Sequence, residues 1–118
     1  DMKNFKTSEF DSPDEIGSGN LMDKRFLEML DNAREIAGVS FRITSGYRSK
    51  SHNKKVGGVP QSSHRLGKAC DIACTSSRHR FKIVNALIEA GFNRIGIAKN
   101  FIHVDNDMNK SCDVIWTY

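Results

Sequence analysis

The chain contains, at residues 62–74, the stretch SSHRLGKACDIAC, in which a polar loop leads into a strand. The serines, the histidine and Gly67 of its first half are typical of a loop. In residues 68–74, small or acidic side chains alternate with apolar ones, so Asp71 lies on the opposite face from Ile72. The stretch therefore predicts a sheet with one face towards a core and an acidic group on the other face.

Two longer segments predict amphipathic helices. Residues 22–37 carry apolar side chains at helical spacing before Gly38, namely Phe26, Leu27, Leu30, Ala33, Ile36 and Ala37. A second helix is expected from a cap at Ser76 or Ser77 to Gly91, with an apolar stripe of Phe81, Val84, Leu87 and Ile88. A short helix is expected at residues 49–56.

Alternating patterns predict strands at residues 41–45, 68–74, 94–98, 101–105 and 114–118, with a tight turn at Lys99 and Asn100. Residues 5–10 are expected to form a short arm, helical or extended, and residues 11–20 a loop. Together these elements predict an α+β fold, a small antiparallel sheet with two main helices packed on one face. The length of 118 residues predicts one domain over residues 1–118.

Composition is that of an ordinary globular protein, with 38% hydrophobic and 27% charged residues and a net charge of +4. Basic clusters at residues 50–55 and 78–82 would suit an anionic partner such as nucleic acid, membrane or bacterial cell wall, or are solvated surface. They lack interleaved aromatic residues and no nucleic-acid-binding motif is present, so we expect no nucleic-acid role. We also expect no membrane insertion, since no apolar run reaches about 20 residues, and a monomeric state.

The three cysteines cannot all pair with one another. Cys70 and Cys74 lie on one strand at a separation of roughly 13 Å, too far for a disulfide. Cys112 would reach one of them only if the last strand lay alongside. Otherwise buried free thiols are the expectation for the cysteines.

His64, Asp71 and His103 are the candidate metal ligands. In residues 101–105, Ile102 and Val104 are expected to face the core, so His103 and Asp105 share the polar face with Asp71. Two imidazoles and one carboxylate form a zinc ligand set that leaves a fourth position for water, which is typical of catalytic zinc. The residues therefore indicate metal-assisted hydrolysis.

Arg48 is the second candidate group. It follows a predicted strand end, where loop residues often carry function. A guanidinium there would grip a substrate carboxylate or stabilise the oxyanion of a tetrahedral intermediate. The alternative is an ordinary surface arginine.

Four motifs together resemble the D-alanyl-D-alanine carboxypeptidase family of zinc peptidases. They are TSGYRS at residues 44–49, HN with VGG at residues 52–58, SxHxxGxAxDI at residues 62–72 and IHVD at residues 102–105. The resemblance implies one zinc ion bound by His64, Asp71 and His103, with Arg48 and Ser62 in contact with substrate. Tyr47 and His52 belong to the same motifs and are expected to contact substrate; for His52 a structural hydrogen bond is the alternative.

The resemblance further implies a peptidase that cleaves peptidoglycan stem peptides at the bacterial cell wall, as a carboxypeptidase or an endolysin-like endopeptidase from phage or bacteria. Many members carry Glu or Asp three residues before the last histidine, where this chain has Asn100. Asp105 is our candidate for general base, although it would serve equally as an orienter of His103 or Arg48. Asp107 is a further alternative.

The rival hypothesis is a binding module. The Hedgehog signalling domain is similar in fold and carries the same ligand pattern. A domain of this kind with little catalytic activity would bind zinc and recognise cell-wall peptide or a protein partner. Asn100 favours this rival, because an amide cannot accept a proton from water.

Overall fold

The computed structural model describes residues 2–118. Within them lie three α-helices, α1 (Lys24–Ala37), α2 (Lys50–Lys55) and α3 (Ser77–Glu89), and five strands, β1 (Ile43–Ser45), β2 (Ala69–Ala73), β3 (Arg94–Ile97), β4 (Phe101–Asp105) and β5 (Val114–Thr117). Short 3-10 helices at Thr7–Phe10 and Ser18–Leu21 precede α1. The predicted α+β fold is confirmed, and the main elements lie close to their predicted positions.

The strand order in the sheet is β1-β2-β4-β3-β5. The pairs β1–β2, β2–β4 and β4–β3 are antiparallel, whereas β5 runs parallel to β3. The prediction of an antiparallel sheet is therefore wrong at this edge. Because β2 and β3 already flank β4, β5 cannot pair with β4; it joins the free edge of β3 and, since it runs opposite to β4, it is parallel to β3.

The core lies between the helices and one face of the sheet. Its fully buried side chains include, from the helices, Phe26, Leu30, Ile83 and Leu87 and, from the strands, Ile72, Ile95, Ile102 and Val104. Since the side chains of a strand alternate, Asp71 and His103 lie on the opposite face. Helices α1 and α3 thus seal one face of the sheet and leave the other for polar groups.

Three predicted core residues are exposed: Phe81 is 73% exposed, Ile88 51% and Ile36 41%. The buried stripe of α3 is centred on Ile83 and Leu87, which are four residues apart. At about 100° per residue, Phe81 lies about 200° around the helix from Ile83. Helix α3 is therefore amphipathic, as predicted, but its buried face is rotated away from the predicted one.

The cysteines are free among the described residues; Cys70 and Cys74 are buried as expected, whereas Cys112 is exposed, so the expectation of a buried thiol is wrong there. Cys112 precedes β5, which pairs with β3 rather than with β2. This placement separates Cys112 from the strand that carries the other two thiols. In the described part of the chain, no helix is long and apolar enough to cross a membrane.

Gly67 joins the loop of residues 62–67 to the start of α1. Its φ is 70°, and a Cβ added there would lie 2.6 Å from the carbonyl oxygen of Leu21. The Gly67 carbonyl also accepts a hydrogen bond from the Asp23 amide at 2.9 Å. Both the backbone conformation and the close approach require glycine.

We expect Gly67→Ala to lower the free energy of unfolding by about 2–4 kcal/mol, because a left-handed alanine is strained and the added methyl group overlaps backbone atoms. Gly57→Ala is the matched control, since Gly57 has a φ of 76° but nothing within 4 Å of an added Cβ. That variant should lose only about 1–2 kcal/mol. Urea unfolding measures both, and equal losses would contradict the importance of the contact with Leu21.

Candidate metal centre

The structure brings His64, Asp71 and His103 together on the face of the sheet that the helices do not cover. His64 lies on the loop before β2, while the register of β2 and β4 places Asp71 directly opposite His103. The Asp71 Oδ1 atom lies 3.4 Å from His64 Nε2 and 3.0 Å from His103 Nδ1. All three residues are buried, and one ligand atom from each lies within 4.8 Å of the others.

A backbone carbonyl orients His64. Its Nδ1 lies 2.8 Å from the Gly46 carbonyl oxygen. Because that oxygen can only accept, Nδ1 carries a proton and donates this bond, and Nε2 faces Asp71. The His64 carbonyl in turn accepts a hydrogen bond from the Arg48 amide at 3.1 Å. The loop is thus held on both sides of the imidazole.

A carboxylate orients His103. The ring Nε2 lies 2.7 Å from Asp105 Oδ2, so this nitrogen donates and Nδ1 is directed at Asp71. The other oxygen of Asp105, Oδ1, accepts hydrogen bonds from Arg94 Nε at 2.7 Å and from the Asp107 amide at 3.1 Å. Both oxygens are therefore engaged away from the ligand atoms. This is the geometry of an orienting carboxylate, and the general-base role stays a prediction.

Trp116 forms an aromatic wall beside His103. Gly96 is the register partner of both His103 and Trp116, and a Cβ at Gly96 would lie 2.6 Å from the Trp116 ring. The missing side chain lets the indole pack 5.5 Å from the imidazole centroid. The Arg94 guanidinium lies over the same indole, 5.0 Å from its centroid.

The carboxylates and the imidazole of His103 stabilise one another's ionised forms in this centre. Burial opposes ionisation of Asp71, but hydrogen bonds with His103 and His64 outweigh it and hold the pKa of Asp71 well below its ordinary value. Burial likewise opposes protonation of His103, yet hydrogen bonds to Asp105 and Asp71 raise the pKa of its imidazole. The pKa of Asp105 is lowered, since His103 and Arg94 outweigh the effect of burial. Without a metal, the centre favours an imidazolium between two carboxylates.

The donor set fits a zinc ion. Around a tetrahedral zinc with bonds of about 2.1 Å, ligand atoms lie about 3.4 Å apart. The separations of 3.0 Å and 3.4 Å from Asp71 Oδ1 match this spacing. Two neutral imidazole nitrogens and one carboxylate oxygen are ordinary zinc donors, and His64 and His103 each have an outer partner that fixes the ring.

Arg48 lies at the edge of this centre. Its Nε donates to Ser45 Oγ at 3.2 Å and its Nη1 to Asn53 Oδ1 at 3.4 Å. Its Nη2 is 3.7 Å from Asp71 Oδ2. The guanidinium is thus held beside the candidate ligands, as a substrate-binding role requires.

The other predicted substrate contacts are less central. Ser62 is buried, and its Oγ accepts a hydrogen bond from the His64 amide at 3.2 Å. Tyr47 and His52 line a cavity of about 130 Å³ together with Gly46. Within residues 2–118, no hydrogen bond or ion pair joins the Tyr47 or His52 side chain to the three candidate ligands. Their roles in substrate binding stay predictions.

Sequence reasoning missed several supporting groups, namely Arg94, the Gly46 carbonyl, Trp116 and Ser63. Alternation along residues 94–98 would have placed Arg94 and Gly96 on one face. That signal could not identify their neighbours, because the order of strands in the sheet depends on contacts that are distant in sequence. The carbonyl of Gly46 carries no side-chain signal at all.

A family model described as Peptidase M15 matches residues 3–105 of the chain. The match includes all three candidate ligands, Arg48 and Asp105, and it confirms the family resemblance predicted from the motifs. It ends before β5. No curated protein matches this chain.

We expect the metal-free protein to lose stability as pH rises through the raised pKa of His103. The folded protein keeps that proton to a higher pH than the unfolded chain, in which histidine titrates near about 6.5. This stabilisation is complete below the unfolded value and is lost above the folded one. Urea unfolding with a chelator, between about pH 5 and pH 9, measures the decline.

Asp105→Asn is the comparison variant. The amide preserves the shape of the side chain but removes the negative charge that favours the imidazolium, so the decline in stability should move to lower pH. Identical pH profiles for this variant and the wild type would contradict the coupling of Asp105 to His103.

Proposed function

The chain belongs to the Peptidase M15 family, and on that premise we propose that it is a zinc-dependent peptidase that cleaves peptide bonds in peptidoglycan stem peptides. Family membership indicates a peptidase, and hence a peptide substrate. The observation that carries the proposal is the convergence of His64, Asp71 and His103, with one ligand atom from each within 4.8 Å of the others. The scissile bond would be one cut by a carboxypeptidase or by an endolysin-like endopeptidase.

His64, Asp71 and His103 would hold a single zinc ion. When bound, zinc supplies Lewis-acid chemistry, which polarises a carbonyl and makes water nucleophilic near neutral pH. The chain contributes the orientation of the ligands: the Gly46 carbonyl fixes the tautomer of His64, and Asp105 fixes that of His103. Both imidazoles are thereby held with their other ring nitrogen facing Asp71.

Arg48 would bind a negatively charged group of the substrate. The hydrogen bonds to Ser45 and Asn53 hold its guanidinium in one orientation, so little freedom is lost when a substrate arrives. A planar guanidinium suits either a stem-peptide carboxylate or the oxyanion of the tetrahedral intermediate. We propose Ser62, Tyr47 and His52 as further substrate contacts around this position.

We propose that Asp105 orients His103. To act as general base, Asp105 would have to leave its hydrogen bond with His103 or with Arg94, each 2.7 Å long. An orienting carboxylate behind a zinc-bound imidazole raises ligand basicity and fixes the ring. Asp105 lies within residues 3–105, which match the family model, and either role is compatible with that match.

The positive charge of the surface supports an anionic, wall-bound substrate. Lys50, Lys54 and Arg65 line a cavity of about 330 Å³ beside α2, which also carries Asn53, the partner of Arg48. Such a surface suits a polymer with many carboxylates and phosphates. We therefore propose that the protein acts at the bacterial cell wall as a phage-encoded or secreted enzyme.

A second candidate function is a zinc-binding module that recognises cell-wall peptide or a protein partner without efficient turnover. Two observations favour it. Asn100 replaces the acid found in many members of the family, and both oxygens of Asp105 are engaged in hydrogen bonds. This candidate shares the metal centre with the first and differs only in turnover.

Digestion of purified peptidoglycan tests the proposal. We expect the zinc-loaded protein to bind one zinc ion and to release D-alanine or cleaved stem peptide, as measured by mass spectrometry. Asp71→Ala should lose both zinc and turnover, because it removes the ligand that links the two histidines. Wild-type protein that holds one zinc but releases no product would contradict the peptidase proposal and support the binding module.

Arg48→Lys gives a sharper test of substrate binding. It keeps the charge but loses the planar fork, so we expect kcat/KM to fall about 100- to 1,000-fold while zinc content stays unchanged. Arg42→Ala is the matched control, because Arg42 lies on the same segment and is exposed. Steady-state cleavage of a stem-peptide analogue measures both, and wild-type kinetics for Arg48→Lys would remove Arg48 from the site.

A further inference from the structure

We infer that Asp107 and Ser63 form a positioning pair that fixes the loop of His64 to the strand of His103 and so sets the spacing of the two imidazoles. The inference rests on the proposed function, because it concerns residues that would hold the metal ligands in place. Neither residue touches the ligand atoms. Both would act through their neighbours.

The pair completes a buried chain of hydrogen bonds between the two histidines. From His103 Nε2 the chain passes to Asp105 Oδ2 at 2.7 Å, and the Asp107 amide donates to Asp105 Oδ1 at 3.1 Å. Ser63 Oγ then donates to Asp107 Oδ2 at 2.7 Å. Ser63 directly precedes His64, so the chain ends one residue before the second imidazole.

Both oxygens of Asp107 are engaged in hydrogen bonds. Its Oδ1 accepts the Asn109 amide at 3.1 Å, while Oδ2 accepts from Ser63 and lies 3.5 Å from Lys110 Nζ. The carboxylate is only 2% exposed. This placement argues against a direct part in proton transfer and for a structural link.

Lys110 stabilises the pair. Its ammonium donates to Ser63 Oγ at 2.9 Å, so the serine hydroxyl donates to one neighbour and accepts from the other. A buried carboxylate is costly unless it is paired and hydrogen-bonded. Here the lysine and the hydroxyl offset that cost, and the direction of the Ser63 hydroxyl is determined.

The pair adds a side-chain link between two segments that the backbone also joins, through the bond from the Asn106 amide to the Lys68 carbonyl at 3.1 Å. Ser63 and Asp107 are 44 residues apart in sequence, and they belong to the loop before β2 and the segment after β4. Backbone bonds within residues 62–68 shape the loop, and the bond between Ser63 and Asp107 fixes the part of the loop next to His64 to the segment after β4. Asp107 also lies beyond residues 3–105, where the family match ends.

Metal affinity, measured without any catalytic assay, tests the pair. Zinc dissociation constants are measured by competition with a chromophoric chelator for the wild type, Ser63→Ala, Asp107→Ala, Asp107→Asn and the double variant Ser63→Ala/Asp107→Ala. Absorption spectra of the cobalt-substituted proteins report ligand geometry. Met108→Ala is the matched control, since Met108 is adjacent to Asp107 and 92% exposed.

We expect Asp107→Ala and Ser63→Ala each to weaken zinc binding about 10- to 100-fold and to change the cobalt spectrum. The double variant should be little worse than either single one, because both remove the same link. Asp107→Asn should recover most of the affinity, since its amide oxygen can accept the bond from Ser63. Met108→Ala should match the wild type.

Wild-type affinity and spectrum in both Ser63→Ala and Asp107→Ala would overturn the pair while leaving the metal centre intact. Wild-type protein that bound no zinc would overturn the proposed function as well, so the two failures are distinguishable. If Asp107→Ala does not fold, as judged by circular dichroism, Ser63→Ala decides alone, because it removes one hydroxyl and keeps the carboxylate.

Discussion

The pairing of β2 with β4 is the constraint on which the candidate site depends. Its register places Asp71 opposite His103 in the interior of the sheet, where both strands have neighbours on each side. Because successive side chains alternate between faces, a slip of one residue would move either ligand into the core. The apolar partners of the same register, Ile72 with Ile102 and Cys70 with Val104, make such a slip costly. The packing of apolar side chains on one face of the sheet thus fixes the positions of the candidate ligands on the other face.

On that second face, charged groups are buried and nevertheless ordered. Asp71, Asp105 and Asp107 are each 9% exposed or less, and isolated carboxylates at such positions would be strongly unfavourable. Each accepts hydrogen bonds or ion pairs from histidine, arginine, lysine or backbone groups. A fully satisfied polar network is rigid. The network therefore gives a small protein the means to hold ligands from three separate segments in one place.

Several features could be predicted from local patterns because their causes are local. The cap at Ser76, the helix that ends at Gly38 and the alternation in residues 101–105 all depend on residues near in sequence. The parallel edge strand and the exposure of Phe81 could not be predicted in this way. The first depends on which strand edges remain free, and the second on which face of α3 meets α1. The supporting role of Arg94 likewise became visible only when its partner Asp105 was known.

By itself, the sequence determined which residue types were present for the chemistry, on which face of a strand each would lie, and the family to which their spacing belongs. The placement on faces follows from alternation and helical periodicity, which act over a few residues, whereas the family rests on the resemblance of the motifs and on the match over residues 3–105. Only the tertiary structure decided that both oxygens of Asp105 are engaged, that the Gly46 carbonyl orients His64, and that Ser63 meets Asp107. Those contacts join residues that are distant along the chain, and their geometry is set by how loops pack on the finished sheet.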